Sequence, residues 1–283
     1  MKDQRTPPSN LRSLETRIAN LAKEQGRPIR RVQRAVANTV IGQLLPPGVV
    51  KGGTAIKLRV GEGRSRFTLD FDAARHVNLE LDAYLDSLAE RLAVGWEGFT
   101  GTVEELEAAQ PFGIPGEYVM QPFMIRLAFR GRHWLSVIFE LGRDEVGSTA
   151  EAETKIADDL IDLFAMLGLG APAPVALLGV EHQIVQKLHA CTSQGRVTGG
   201  NDRAHDLVDL QILVQEETVD LDKVGVVGHR LFTARRTHAW PPVVVEYPSW
   251  ATIYREAADG LDVLDDVTDA VAWANEFIAR IGT

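Results

Sequence analysis

The chain has 283 residues, of which 45% are hydrophobic and 24% are charged, a balance typical of a globular protein with a sizeable core. Its formal net charge of −9 argues against a protein that coats nucleic acid through bulk positive charge. A lone cysteine cannot form an internal disulfide, and neither a secretory signal nor a membrane-length apolar run is evident. We therefore expect a cytoplasmic protein.

The first third of the chain predicts helices followed by a glycine turn. Apolar residues recur every three or four positions across residues 10–45, and Pro46-Pro47-Gly48 ends this pattern. Gly52, Gly53 and Thr54 then predict a tight turn that opens a short helix.

Residues 66–72 alternate as a β-strand does. The alternation predicts two faces of this strand, one with Phe67, Leu69 and Phe71 and the other with Thr68, Asp70 and Asp72.

The rest of the chain predicts a sheet flanked by helices, and then a helical end. Residues 118–141 resemble a hairpin that turns at Arg130-Gly131-Arg132. The predicted helices cover residues 77–93, 151–167, 179–192, 203–217, 219–237 and 266–281. We predict an α+β fold with a helical segment at 1–45, a core with a mixed β-sheet at 46–170, and a helical domain at 171–283 that closes the cleft.

The chemistry is concentrated in the glycine turn and the strand that follows. Asp70 and Asp72 would aim two carboxylates in one direction, which suits Mg²⁺, and Glu140 at the end of the hairpin is the candidate third ligand. Two bare glycine N–H groups at a helix start can bind phosphate, and Thr54 adds a hydroxyl. Solvated strand carboxylates are the alternative interpretation of these aspartates.

Three blocks of sequence together resemble a known family. Val50–Ile56 with Arg66–Asp72, then Glu181–Ala190, and then Arg203–Leu210 are similar, in this order, to motifs of the AbiEii/AbiGii nucleotidyltransferase-like toxins. These toxins, which include MenT-like proteins, belong to the DNA polymerase β-type nucleotidyltransferase superfamily. The resemblance implies a polymerase β-type core.

The resemblance also implies roles for residues in the later blocks. Lys187 would neutralise triphosphate oxygens, and Asp206 or Asp209 would orient Lys187 or act as a general base on the acceptor hydroxyl. The choice between these two aspartates stays open, and surface ion pairs are the alternative for all three residues. Arg203 is a further candidate phosphate ligand. The predicted phosphate-binding set comprises Gly52, Gly53, Thr54, Lys57, Thr68 and Arg196.

The family implies a Mg²⁺-dependent (or Mn²⁺-dependent) toxin that releases pyrophosphate from an NTP, often a pyrimidine NTP. It would transfer the nucleotide to the 3′ acceptor end of tRNA, thereby blocking translation, and a cognate antitoxin protein is expected. Arginine clusters such as Arg126, Arg130 and Arg132 favour an RNA acceptor. The negative net charge favours the alternative, a small-molecule or protein acceptor, and a catalytically silent NTP-binding regulator is the remaining hypothesis.

Overall fold

The computed structural model describes residues 6–108, 119–193 and 200–281. The described chain divides into two compact units. The first contains residues 1–63, 67–144 and 152–177, and the second contains residues 64–66, 145–151 and 178–283, as far as these ranges are described.

The first unit carries a mixed sheet and five helices within its described residues. The helices are α1 (Leu11–Glu24), α2 (Ile29–Leu44), α3 (Gly52–Val60), α4 (Leu81–Val94) and α5 (Asp158–Leu167). The strands are β1 (Gly48–Lys51), β2 (Phe71–Arg75), β3 (Phe99–Glu105), β4 (Gln121–Phe129), β5 (Arg132–Gly142), β6 (Glu153–Lys155) and β7 (Val175–Leu177).

The strands form one sheet in the order β3-β4-β5-β2-β1-β7-β6. The pairs β2–β5 and β1–β7 are parallel, and the other neighbouring pairs are antiparallel. Arg130 and Gly131 join β4 to β5 with positive φ angles of 46° and 77°, as a two-residue hairpin turn requires. The predicted α+β fold with a mixed sheet is therefore confirmed.

Apolar side chains from the sheet and from α1, α2, α4 and α5 form the core of the first unit. Phe71, Phe123 and Phe139 meet there in tilted aromatic contacts. The Asn10 side chain caps α1 by accepting a hydrogen bond from the Ser13 N–H, so the predicted helical start is fixed by local chemistry.

The second unit is helical in its described residues. Its helices are α6 (Val180–Thr192), α7 (His205–Glu216), α8 (Leu221–Arg235), α9 (Trp250–Ala258) and α10 (Val267–Ile281). Buried Leu188, Leu210 and Phe232 belong to its core, and Trp250 anchors α9 by donating from its indole N–H to the Asn201 carbonyl. None of the described helices is long and apolar enough to cross a membrane.

Two predicted elements need correction. The strand predicted over 66–72 begins only at Phe71 (β2), and Phe67 and Leu69 are 37% and 58% exposed instead of sharing the buried face of Phe71. The helix predicted over 151–167 begins at Asp158, because Glu153–Lys155 pairs with β7 as an edge strand. Strand β3 and helix α9 were not predicted.

Candidate active site

Sheet pairing places a lysine and two carboxylates in one row of the first unit. Lys51 on β1 is paired with Asp72 on β2, and Asp72 is paired with Glu140 on β5. Residues that are directly paired on adjacent strands project from the same face. The fold therefore brings Glu140 beside Asp72, although the two are far apart in the sequence.

The carboxylates of this row repel one another. The pKa of Glu140 is raised by burial, then by the charges of Asp72 and Asp70 and by a hydrogen bond with Asp72, while Lys51 opposes the shift. A bound cation relieves such repulsion, so the charge of the cluster fits a divalent metal ion. Among the described residues no three carboxylate, imidazole or thiolate groups form a complete metal-binding set.

The glycine turn lies directly against Asp72. Gly52 begins α3 with a φ of +63°, and a Cβ atom at this position would be 2.0 Å from Oδ2 of Asp72. Only glycine tolerates both the backbone conformation and this approach. The preceding residue, Lys51, provides no side-chain cap. The first N–H groups of a helix are a common binding site for phosphate, so this helix start is the predicted phosphate site.

The Thr54 hydroxyl connects α3 to the backbone of Asp70. It donates to the Asp70 carbonyl at 2.9 Å and accepts from Nδ2 of Asn38 at 3.2 Å, and both side chains are fully buried. In this conformation the hydroxyl proton is engaged inside the unit, and Thr54 helps to fix where the aspartate segment starts. Sequence reasoning did not identify Asn38, which only the packing of α2 brings to this place.

Lys57 is buried in an ion pair. Its ammonium lies 2.7 Å from Oε2 of Glu62 and 5.6 Å from the ring centroid of Phe67, and its side chain is 0% exposed. Burial lowers the pKa of Lys57, and Glu62 opposes the shift. Arg31 binds the same carboxylate through its Nε, so Lys57 takes part in an internal charge cluster here.

The other two predicted phosphate ligands give less information. Thr68 is buried and precedes β2, in the segment between Phe67 and Asp70. Arg196 lies outside the described residues. Their predicted contacts with phosphate remain predictions.

The second unit holds Lys187 between two carboxylates. Its ammonium is 2.8 Å from Oδ1 of Asp206 and 2.6 Å from Oδ2 of Asp209. Asp206 and Asp209 are 0% exposed and lie one helical turn apart on α7, where side chains three residues apart share a face. Burial opposes the charge of Lys187, but the two aspartates outweigh it and raise the pKa of Lys187.

Each of these aspartates also binds an arginine. Arg66 donates to both oxygens of Asp209 at 3.0 Å through Nε and at 2.9 Å through Nη2, and Arg203 donates to Asp206 at 2.8 Å. Burial disfavours ionisation of both carboxyl groups, but these cations and Lys187 lower the pKa of Asp206 and of Asp209. The role of Arg66 was missed, although its position just before the Asp70 motif was a usable signal.

Comparison with known proteins identifies a family and a fold. A family model described as the nucleotidyl transferase AbiEii toxin of type IV toxin–antitoxin systems matches residues 35–274. No match was found among curated proteins.

Solved structures similar to this chain include two bacterial proteins. MenT4, a nucleotidyltransferase toxin from Mycobacterium tuberculosis H37Rv, is similar with a TM-score of 0.52 and 17% identity, over 93% of this chain and 98% of that chain. JHP933 from Helicobacter pylori is similar with a TM-score of 0.45 and 15% identity, over 88% of this chain and 89% of that chain. The likeness to MenT4 is at the level of the fold.

Proposed function

The chain belongs to the AbiEii nucleotidyltransferase toxin family of type IV toxin–antitoxin systems, and from this premise we propose that it transfers nucleotides from an NTP to the 3′ acceptor end of tRNA, with Mg²⁺ as cofactor. The observation that carries the proposal is the row of Glu140, Asp72 and Lys51 beside the turn at Gly52, because it places carboxylates next to a helix start of the kind that can bind phosphate.

The proposed metal ligands are Asp70, Asp72 and Glu140. Although no three such groups among the described residues form a complete metal-binding set, the charges of Asp72 and Asp70 both raise the pKa of Glu140, so these carboxylates are close enough to act as hard oxygen donors to one Mg²⁺ or Mn²⁺ ion. When bound, the metal supplies positive charge that polarises the reacting phosphate and lowers the pKa of the attacking hydroxyl. Asp72 and Glu140 would hold the metal ion on the neighbouring strands β2 and β5, next to the turn at Gly52.

The backbone N–H groups of Gly52 and Gly53 are the proposed phosphate donors. In the reaction, the oxygen of an acceptor hydroxyl bonds to the α-phosphorus of the NTP and gives up its proton to water. The bond from that phosphorus to the oxygen that bridges the α- and β-phosphates breaks, which releases pyrophosphate. We assign Lys187 to neutralising triphosphate charge. Asp206 and Asp209 are assigned to holding Lys187, since cations already occupy both carboxylates.

The acceptor and the location are part of the proposal, whereas the family itself implies a partner. A tRNA acceptor in the cytoplasm would allow the toxin to stop translation, and a type IV toxin–antitoxin system implies a cognate antitoxin. A small-molecule acceptor is the second candidate, because a net charge of −9 gives no general attraction for RNA. The donor is proposed to be a pyrimidine NTP.

A transfer assay tests the proposal. Purified protein is incubated with Mg²⁺, total tRNA and each of the four α-³²P-labelled NTPs in turn, beside the variants Asp70→Ala and Asp86→Ala. Asp86 is exposed on α4, so its variant is a matched control for loss of one carboxylate. We expect label on tRNA from one NTP with wild type and Asp86→Ala, and at least a 100-fold loss with Asp70→Ala. Absence of labelled RNA with every NTP contradicts the tRNA acceptor.

A further inference from the structure

Helix α2 places a row of polar side chains beside Glu62 and beside Thr54, whose hydroxyl binds the Asp70 carbonyl. Arg31, Arg34 and Asn38 are spaced by three and four residues, so they share one face of the helix. Two of them are engaged inside the first unit, Arg31 with Glu62 and Asn38 with Thr54. The third, Arg34, lies between them on this face.

Arg34 has a buried donor that is not used. Its Nη1 atom is buried and has no hydrogen-bond acceptor among the residues that the structure describes. A buried donor without an acceptor costs free energy, and the cost is larger for a charged group. Burial lowers the pKa of Arg34, and the charge of Asp70 opposes this shift, so the guanidinium is within electrostatic range of a proposed metal ligand.

Arg34 lies within electrostatic range of other cations. Arg31 and Arg34 both act on the pKa of Lys57 by lowering it, after burial, and Glu62 is the carboxylate that raises it. Glu62 therefore pairs with Lys57 and Arg31, and Asp70 is the anion that acts on Arg34. If Asp70 binds a metal ion, its charge is no longer available to Arg34. The cluster then needs another anion.

We propose that Arg34 binds a non-bridging phosphate oxygen of the NTP, so that α2 forms part of the nucleotide site. The planar guanidinium suits phosphate oxygens, and because the Arg34 side chain is only partly buried, a phosphate can approach it and supply the acceptor that Nη1 lacks in this conformation. This inference rests on the proposed use of an NTP, but not on the tRNA acceptor. The family match begins at residue 35, so Arg34 lies outside it.

Binding of Mg²⁺–tripolyphosphate, measured by titration calorimetry, tests the inference without any acceptor or base. The full-length wild type is compared with Arg34→Gln, Arg34→Lys and Arg30→Gln. Arg30 is exposed on the same helix, so its variant removes an equal charge elsewhere. We expect Arg34→Gln to weaken binding roughly 10- to 100-fold. We expect Arg34→Lys, which keeps the charge but loses the fork, to weaken it about 3- to 10-fold. Arg30→Gln should bind as wild type does.

Each outcome decides the inference. Wild-type affinity in Arg34→Gln overturns it, as does a wild type that does not bind Mg²⁺–tripolyphosphate. If thermal unfolding shows that Arg34→Gln does not fold, Arg34→Lys decides: reduced affinity supports phosphate binding and unchanged affinity overturns it. If Arg34 acted only as a counter-ion to Asp70, Arg34→Gln would change the affinity for Mn²⁺ but not the affinity for tripolyphosphate. That result would overturn the inference. Arg34-dependent binding without transfer to tRNA would refute the tRNA acceptor and leave this inference standing.

Discussion

Replacing Asp209 by asparagine should destabilise the second unit strongly. The carboxylate accepts hydrogen bonds from Nε and Nη2 of Arg66 and lies 2.6 Å from the Lys187 ammonium. Asparagine has nearly the same shape but no charge, so two cations lose the anion that compensates their burial. Breaking a buried ion pair on one side costs about 3–5 kcal/mol. For a chain of this size, that corresponds to a fall in the unfolding temperature of roughly 10 °C.

Thermal unfolding followed by circular dichroism measures this effect. The matched control is Asp259→Asn, an exposed aspartate after α9 in the same unit, whose loss should cost less than about 1 kcal/mol. Adding Lys187→Met to Asp209→Asn removes one of the two cations that have lost the Asp209 charge. The double variant should therefore recover at least about 1 kcal/mol relative to the sum of the single losses.

Two results would refute this reasoning. The first is a loss below about 1 kcal/mol for Asp209→Asn, since a buried charge cannot lose its partner at so small a cost. The second is strict additivity between Asp209→Asn and Lys187→Met, which would mean that the two side chains do not stabilise each other in solution.

Three more predictions concern other parts of the molecule. Gly52→Ala should cost about 1–3 kcal/mol and abolish transfer, because its methyl group would meet the Asp72 carboxylate, and a normal unfolding temperature together with normal transfer would contradict this. Glu62→Gln should cost about 3 kcal/mol by leaving the fully buried Lys57 unpaired, and combining it with Lys57→Met should restore part of the loss in urea denaturation. The pKa of Asp206 is lowered in the folded state relative to its ordinary value of 3.8. Its ion pairs therefore contribute fully to the free energy of unfolding above about pH 4, and this contribution is lost as the pH falls further. The unfolding temperature should fall more steeply below about pH 4 in wild type than in Asp206→Asn.

The local sequence pattern predicted the long helices and strands of the fold. It did not predict the elements that form only because they pair with another strand. The hairpin of β4 and β5 follows from alternation and from a glycine turn, both visible in the sequence. Strand β6 has three residues, and only its pairing with β7 makes it a strand. The alternation at Phe67 and Leu69 predicted burial, but these side chains precede the first paired residue of β2, and no strand in the described part of the chain pairs with them.

The residues of the candidate site also fall into two groups, those that a local motif predicts and those that only strand pairing or helix packing brings to the site. Gly52 and Asp72 belong to local motifs, so their types and spacing could be recognised from the sequence. Glu140 could be proposed because it ends a predicted strand, but its place beside Asp72 depends on the parallel pairing of β2 with β5. Arg34 could be recognised only as one member of a cluster of arginines at 27–34, and an arginine on an amphipathic helix is usually a solvated residue. Only the packing of α2 shows that its guanidinium is partly buried.

The geometry around Lys187 favours one interpretation of the two aspartates that the sequence left open. A general base needs an unoccupied lone pair and a pKa near the working pH. Asp206 and Asp209 are fully buried, each accepts hydrogen bonds from an arginine, and the pKa of each is lowered, so both are poor bases. Together they take two of the three donors of the Lys187 ammonium and keep it charged. Among the described residues no further partner takes the third donor, which is what the proposed contact with a triphosphate requires. Neither aspartate should replace the other, because each fixes a different direction of the same ammonium.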